Sequence, residues 1–426
     1  MAVVFFGLIP APLGVVFAHP LTMTIACSDC GTLQDLPRLE VGTVAICPTC
    51  AHWMERTSGR SVTAGLACSL ATFLLLFPAN LLPLMSVSVL GMTRQSEIVS
   101  GVTTLWDGQW VIVAALVGAF VLVLPFVRFG LLALVLAHVY FRRNPSWLGP
   151  AFRWCLNLDP WAMPDVFLIG FAIGYSRVAS DLTVSIEAGG FCLIAAAVLC
   201  LLSRAAIDRR TVWRAISPER NAPDPTAEAI SCEVCELVLP GEWEGHSCPR
   251  CRMRVTSRRP EAIHRTAALL IAGLALYIPA NVYPMSVAVQ AGREVPHRII
   301  DGVKELFQAG FWPLGVIIFC TSIAIPLVKL LGLGWLLLSI RRRWTRRLVF
   351  KAWFYRFIDE IGRWSSVDVF TIAVFVPLMR FDGLASARAD WGATAFILVV
   401  VLTMMASRSF DPRLLWDAAY ERTRRA

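Results

Sequence analysis

Thirteen cysteines punctuate the 426 residues, and eight of them are paired at a spacing that metal chemistry uses. Cys27-Ser-Asp-Cys30 precedes Cys47-Pro-Thr-Cys50, and Cys232-Glu-Val-Cys235 precedes Cys248-Pro-Arg-Cys251. Two C-x2-C turns separated by a dozen or so residues bring four thiolates to the corners of a tetrahedron, the geometry that zinc accepts. A segment this short buries little apolar core, so the metal carries most of its folding energy. Four thiolates leave no open position for a catalytic water, and the expected role of both sites is structural. A dithiol redox pair is the alternative, although such pairs usually occur once and within a βαβ pattern that this chain lacks. Disulfides suit an oxidising compartment, which a cytosolic location would not supply. Cys68, Cys155, Cys192, Cys200 and Cys320 read as small apolar packing residues.

Ionisable side chains inside apolar runs are the second source of chemistry, because a charge in hydrocarbon is costly unless paired or wet. Lys329 falls three residues after Pro326, and Asp368 four residues after Trp364. At about 1.5 Å per residue, Lys329 lies roughly 16 Å before the arginine block toward which its helix runs, and Asp368 roughly 6 Å past the start of its own segment. A bent helix and a long lysine stem close that difference. Lys329, Asp368, Ser322, Ser365 and Thr403 are therefore expected to form a polar cluster. Ser365-x-x-Asp368 also fits a helix-capping pattern, and Lys329 could snorkel toward headgroups. Arg128 with Asp165 is the matching pair earlier in the chain, while Arg177 and Asp181 read as a partner contact or a rim pair. Asn80 and Asn281 stand between prolines (Pro78 and Pro83, Pro279 and Pro284), where a broken helix frees carbonyls for a gate or a docking surface, or simply stops.

The composition says what kind of element must hold these residues. With 57% hydrophobic and 16% charged residues, the chain is too apolar for an ordinary soluble domain. Measured against the roughly 20 residues needed to cross a bilayer, eight segments qualify: 62–89, 110–141, 163–180, 186–202, 267–289, 311–340, 364–381 and 391–407. The second and sixth exceed one straight crossing, and each carries a proline, Pro125 or Pro326, which predicts single kinked helices. Roughly 30 of the 39 lysines and arginines fall on the side that carries the cysteine pairs, which the positive-inside rule makes cytosolic. The net charge of +9 thus has a membrane explanation, and no nucleic-acid partner is expected. Residues 1–22 are apolar at first sight like a signal peptide but lack its basic start; they are expected to be a weakly ordered extension, or else the start is really Met23.

A shift of 201 places Cys47 and Cys50 on Cys248 and Cys251, Pro78-Ala79-Asn80 on Pro279-Ala280-Asn281, Pro125 on Pro326 and Arg128 on Lys329. A shift of 203 then pairs Trp161 with Trp364, Asp165-Val166-Phe167 with Asp368-Val369-Phe370, and Asp208 with Asp411. The expected fold is an α-helical polytopic membrane protein made of a tandem repeat: ribbon 23–60, four-helix bundle 61–215, ribbon 216–260, four-helix bundle 261–426. An even number of crossings per half makes the repeats parallel, related by an axis near the membrane normal.

The order of ribbon, Pro-Ala-Asn-x-x-Pro, proline-kinked helix with a following cation, Trp-x-x-x-Asp-Val-Phe and closing Phe410-Asp411-Pro412-Arg413 resembles the paraquat-inducible protein A family, which includes the lipophilic envelope-spanning tunnel A proteins. The resemblance covers nearly the whole chain after Met23. It implies an inner-membrane component that works with a periplasmic MCE-domain tunnel protein to pass phospholipid between membranes, with the C-terminal bundle important for transport. The first half departs from the pattern at Pro164 and at Ile207-Asp208-Arg209-Arg210, so equal function in the two halves is not expected.

No G-x-x-x-x-G-K-[ST] loop is present, so ATP hydrolysis in that manner is not expected. The six histidines and the hydroxyls form no nucleophile–base set, and the chain is not expected to be an enzyme. Any driving chemistry falls to a proton passing through Lys329 and Asp368. A membrane-anchored zinc or redox sensor, or a stress-response scaffold without transport, is the competing class.

Overall fold

The computed structural model describes residues 3–5, 23–37, 39–56, 61–89, 92–179, 183–217, 229–290, 293–308, 310, 312–367, 370–371 and 385–425. Six helices among them are long and apolar enough to cross a membrane: Val62–Leu81, Val111–Tyr140, Ala188–Ala206, Ala262–Val282, Gly315–Arg341 and Trp391–Glu421. Their exposed faces are apolar. Leu70, Leu74, Phe77 and Leu81 form one stripe, and Ile271, Leu274, Ile278 and Val282 form a similar one in the second half. The spacing of three and four residues keeps each stripe on one helical face, where a soluble protein would place polar residues.

In each half the first and last long helices pack side by side, Ser61–Leu81 against Ala188–Ala206 and Ala262–Val282 against Trp391–Ser409. Small buried residues line these contacts, among them Ser69, Thr72 and Ala196 in one half and Ala280, Ala393 and Thr403 in the other. Lipid tails are as apolar as leucine, so close approach through small side chains, not hydrophobic expulsion, holds such helices together. The two proline-bearing helices are each continuous. A wide π-helical turn, Gly118–Val123 or Cys320–Ala324, precedes Pro125 or Pro326 and accommodates the missing N–H and the bulk of the ring.

Several of the expected segments differ. The runs 62–89 and 267–289 are not helical to their ends: the helices stop at Leu81 and Val282, and Met85–Val89 and Ser286–Gln290 are strands. Pro83 and Pro284 end the helices, and alternation takes over, with Met85 and Val87 buried and Ser88 exposed. Each strand is the centre of a three-stranded antiparallel sheet, flanked by Met92–Ser96 and Thr183–Ile186 in one half and by Arg293–His297 and Ala385–Ala389 in the other. The third expected crossing is a helix of 16 residues, Pro164–Ala179, about 24 Å long against a hydrocarbon core of about 30 Å. The seventh begins as a 3-10 turn, Gly362–Ser366, and residues 368–369 and 372–384 lie outside the described residues.

The two halves meet at equivalent positions. Ser366 donates to the Met163 sulfur 203 residues away, the Phe167 and Phe370 rings sit edge to face at 5.7 Å, and the Thr371 hydroxyl reaches the Gly170 carbonyl. Of these, Phe167 with Phe370 joins like residues 203 apart.

The ribbons are built from short hairpins, and each docks on the bundle of the other half. Cys27, Cys30, Cys47 and Cys50 share a buried cluster with Leu333, Tyr355, Ile358 and Trp416. Cys232, Cys235, Cys248 and Cys251 share one with Val135, Leu148, Phe152 and Trp213. At Gly149 the second ribbon comes so close that an added Cβ would collide with the Arg250 carbonyl.

Candidate functional site

The four sulfurs of each ribbon converge. In the first, Cys27 and Cys50 lie 3.5 Å apart and Cys30 and Cys47 3.6 Å; in the second, Cys232–Cys251 and Cys235–Cys248 are both 3.5 Å. All eight are buried, and within each set every sulfur lies within 4.8 Å of the others. A tetrahedron of thiolates about 2.3 Å from a central ion has edges of about 3.8 Å, so both sets fit one four-coordinate metal. The turns are shaped for it. The residue after the second cysteine of every pair, Gly31, Ala51, Glu236 or Arg252, has positive φ, and its N–H bonds back to the carbonyl of the first cysteine. Around the first site, Gln34 donates to the Cys47 sulfur at 3.1 Å, and Arg356 from the second half pairs with Asp29 at 2.7 Å and donates to the Cys50 carbonyl.

A second site lies between the bundles on the ribbon side: a cavity of about 540 Å³ whose walls include Arg128, Asp159, Arg204, Lys329, Asp359 and Gly362. Arg128 and Lys329 enter it from the two proline-bearing helices, one turn past each proline. Arg128 pairs with Asp159 at 2.5 Å, and Arg204 bridges Asp159 at 3.0 Å and Asp165 at 2.7 Å while donating to the carbonyls of Asp159 and Ala162. Arg363 approaches Asp165 at 3.9 Å across the halves. Burial pushes the Asp159 carboxyl up, but Arg128, Arg204 and Arg209 outweigh it and hold the group at about 2.

Lys329 is 0% exposed, and its Nζ has no hydrogen-bond partner among the described residues. A Cβ at Gly362 would lie 2.8 Å from that nitrogen, so the glycine makes room for it. Asp359 is the charge that acts on it, and the Ser407 hydroxyl donates to Asp359 at 3.0 Å.

The expected cluster is placed as follows. Ser365 donates to the Gly362 carbonyl, Thr403 to the Val400 carbonyl, and Ser322 lies buried in the π-helical turn 3.4 Å from the Thr321 hydroxyl. None of the three makes a hydrogen bond to Lys329, and Asp368 lies outside the described residues. Arg128 pairs with Asp159 and not with Asp165, because Arg204 from the last helix of that half takes Asp165. Asp181 and the Arg177 side chain lie outside the described residues. Asn80 and Asn281 each donate to the carbonyl four residues earlier, Leu76 or Tyr277, in the turn that contains the helix proline.

Sequence reasoning misses Asp159, Arg204 and Asp359. Asp159 and Asp359 stand just outside the apolar segments, where a search confined to those segments does not look. Arg204 is found by applying the 203 shift backwards from Ser407, which touches the aspartate on the Lys329 side of the cavity.

A family model described as paraquat-inducible protein A matches residues 62–217 and again 263–420. The chain is 31% identical to the intermembrane transport protein PqiA of Escherichia coli strain K12 over 94% of this chain and 97% of that protein. It is 27% identical to the lipophilic envelope-spanning tunnel protein A of the same strain, over 92% and 91%. No solved structure matches it.

Proposed function

This chain belongs to the paraquat-inducible protein A family, and from that premise we propose that it is the inner-membrane component of an MCE-type lipid transport system. It passes phospholipid between the inner membrane and a periplasmic MCE-domain tunnel protein. In this reading the chain divides into ribbons at 23–60 and 216–260 and bundles at 61–215 and 261–426, with eight crossings, and both ribbons and both termini in the cytosol. Each ribbon holds one structural zinc ion; four buried sulfurs at tetrahedral spacing support that choice, since sites of four cysteine thiolates are the usual structural zinc sites. Zinc would tie the hairpins together and so fix the surfaces that dock on the bundles.

The observation that carries the transport reading is Lys329, a fully buried cation with no hydrogen-bond partner among the described residues, on the wall of a polar cavity between two membrane bundles. A charge kept at such cost is a functional feature by default. Lys329 with Asp368, and with Asp359 on the same cavity wall, supplies a route for coupled proton movement.

The test is phospholipid transfer from proteoliposomes holding the chain to its MCE-domain partner, with and without a pH gradient. Lys329→Met is expected to abolish gradient-driven transfer at unchanged protein level. Undiminished transfer by that variant removes the proton route. Absence of any MCE-domain protein and phospholipid captured with the chain from native membranes removes the transport reading and leaves a metal or redox sensor.

A further inference from the structure

The end of the long helix Gly315–Arg341 turns into the amphipathic helix Leu348–Ile361, and a cavity of about 620 Å³ opens at this corner. Trp335, Trp344 and Phe350 form its apolar walls, and Arg343, Arg346 and Arg347 ring its mouth. None of its lining residues is acidic. Among the described residues, Glu421 reaches the group, pairing with Arg343 at 3.5 Å; Arg342 stacks over Trp344.

The inner end of the cavity is Lys351, 3% exposed. Its Nζ donates to the Ser339 hydroxyl at 2.6 Å and to the Trp344 carbonyl at 2.5 Å, and lies 5.9 Å above the Trp335 ring. All of these partners are neutral. A buried ammonium satisfied in its hydrogen bonds but lacking a counter-charge is stabilised by an anion brought up to it.

The first half is built differently here. Shifting by 201 puts Leu134, Arg143, Pro145, Ser146, Gly149 and Pro150 where Trp335, Trp344, Arg346, Arg347, Phe350 and Lys351 stand. There the second ribbon packs against Gly149, at the position where Phe350 stands in the second half. Phe350 is 48% exposed, and Trp353 and Phe357 beside it are stacked and half exposed. Tryptophans and arginines at the end of a membrane-spanning helix lie at headgroup depth.

We infer that this corner is a binding site for one anionic phospholipid of the ribbon-side leaflet, its phosphate held by Lys351, Arg346 and Arg347 and its glycerol and upper acyl carbons against Trp335, Trp344 and Phe350. The inference needs the chain to be in a membrane and is independent of transport.

The full chain is purified in mild detergent, returned to nanodiscs of seven parts phosphatidylcholine to three parts phosphatidylglycerol, and extracted, and the lipids that stay bound are counted by native mass spectrometry. Phosphatidylglycerol is expected to be retained in preference to phosphatidylcholine. A cation near an anionic headgroup contributes about fivefold, so Arg346→Gln with Arg347→Gln is expected to lower that retention roughly 25-fold. The pair Arg142→Gln with Arg143→Gln in the first half is expected to leave it within about twofold of the parent, since Leu134, Gly149 and Pro150 stand there in place of Trp335, Phe350 and Lys351. The Arg346/Arg347 pair is exposed, so its variant keeps the fold, and an unchanged melting temperature verifies that. Equal retention of the two lipids, equal loss in both arginine pairs, or displacement of the lipid by inorganic phosphate would each overturn the assignment.

Discussion

The two halves use one plan to different ends. In the first, Arg128, Asp159, Arg204 and Asp165 are joined in a chain of ion pairs, so each of these charges faces an opposite one. In the second, Lys329 replaces Arg128, Ser407 replaces Arg204, and Asp359 accepts from a hydroxyl where Asp159 accepts from a guanidinium. The counterpart of Arg204 is no longer a cation, and Lys329 has no partner at hydrogen-bond distance among the described residues. Arg128 and Arg204 are held by carboxylates at ion-pair distance, whereas Lys329 shares a cavity wall with Asp359 without such a contact among the described residues. The contrast goes with two substitutions between the repeats, Arg128 to Lys329 and Arg204 to Ser407.

The ribbons give the largest way to break this comparison. Because each docks on the bundle of the other half, loss of one metal site is expected to loosen the opposite half. Structural zinc contributes on the order of 10 kcal/mol or more to a small ribbon, so Cys30→Ala with Cys47→Ala unfolds the first ribbon outright. Hydrogen exchange is then expected to rise in Leu348–Ile361 and Leu414–Arg425, whose Arg356 and Tyr420 touch that ribbon, and much less in Leu148–Leu158. A rise confined to the first half would show that the crossed docking does not hold in the membrane.

The charged sites come next. Asp159→Asn leaves Arg128 and Arg204 buried without their shared carboxylate and is expected to cost about 3–5 kcal/mol, read as a drop in thermal stability in detergent. Asp359→Asn, which keeps an acceptor for the Ser407 hydroxyl, is expected to cost under about 1 kcal/mol. Acid extends the contrast. The folded Asp159 carboxyl sits at about 2, below its unfolded value of about 3.9, so the stability it contributes is present above about pH 4 and is lost as pH falls toward 2. The parent is therefore expected to lose stability over that window, and Asp159→Asn to lose less. Equal acid slopes would mean that the Asp159 ion pairs do not form.

How much of this is written in the chain divides along physical lines. Cysteine spacing carries its own geometry, so Cys27 to Cys50 and Cys232 to Cys251 are legible without any structure. The repeat registers Arg128 against Lys329, and both line the same cavity. The sheets are hidden because Met85–Val89 and Ser286–Gln290 are as apolar as the helices before them; the proline two residues ahead and the alternation of valine with serine or alanine are the available signal. For Arg128, sequence spacing gives Asp165 as the partner and tertiary packing gives Asp159, with Arg204 arriving from another helix. Crossed docking of the ribbons has no local signature, since it depends on which surface lies opposite after the halves meet at Phe167 and Phe370.

The smallest effect concerns how each ribbon is tied back to its own half, where the halves differ in sign. Glu55 in the first ribbon is gripped by both Arg214 nitrogens at 2.7 Å, while Arg258 in the second ribbon holds Asp417 the other way round. Arg214 and Asp417 are equivalent residues, 203 apart, so the duplicated helix carries opposite charges toward its ribbon. Such inversion penalises docking of either helix on the wrong ribbon, because like charges would then face each other. The Glu55 side chain is 2% exposed and Arg258 35%, so the first pair is the less screened. Glu55→Gln is expected to cost about 2 kcal/mol and Arg258→Gln under about 1 kcal/mol. Glu55→Arg is expected to be worse than Glu55→Gln and to be rescued by Arg214→Glu. If the double exchange fails to recover stability, the inversion is incidental, and the two ties differ only in how much water reaches them.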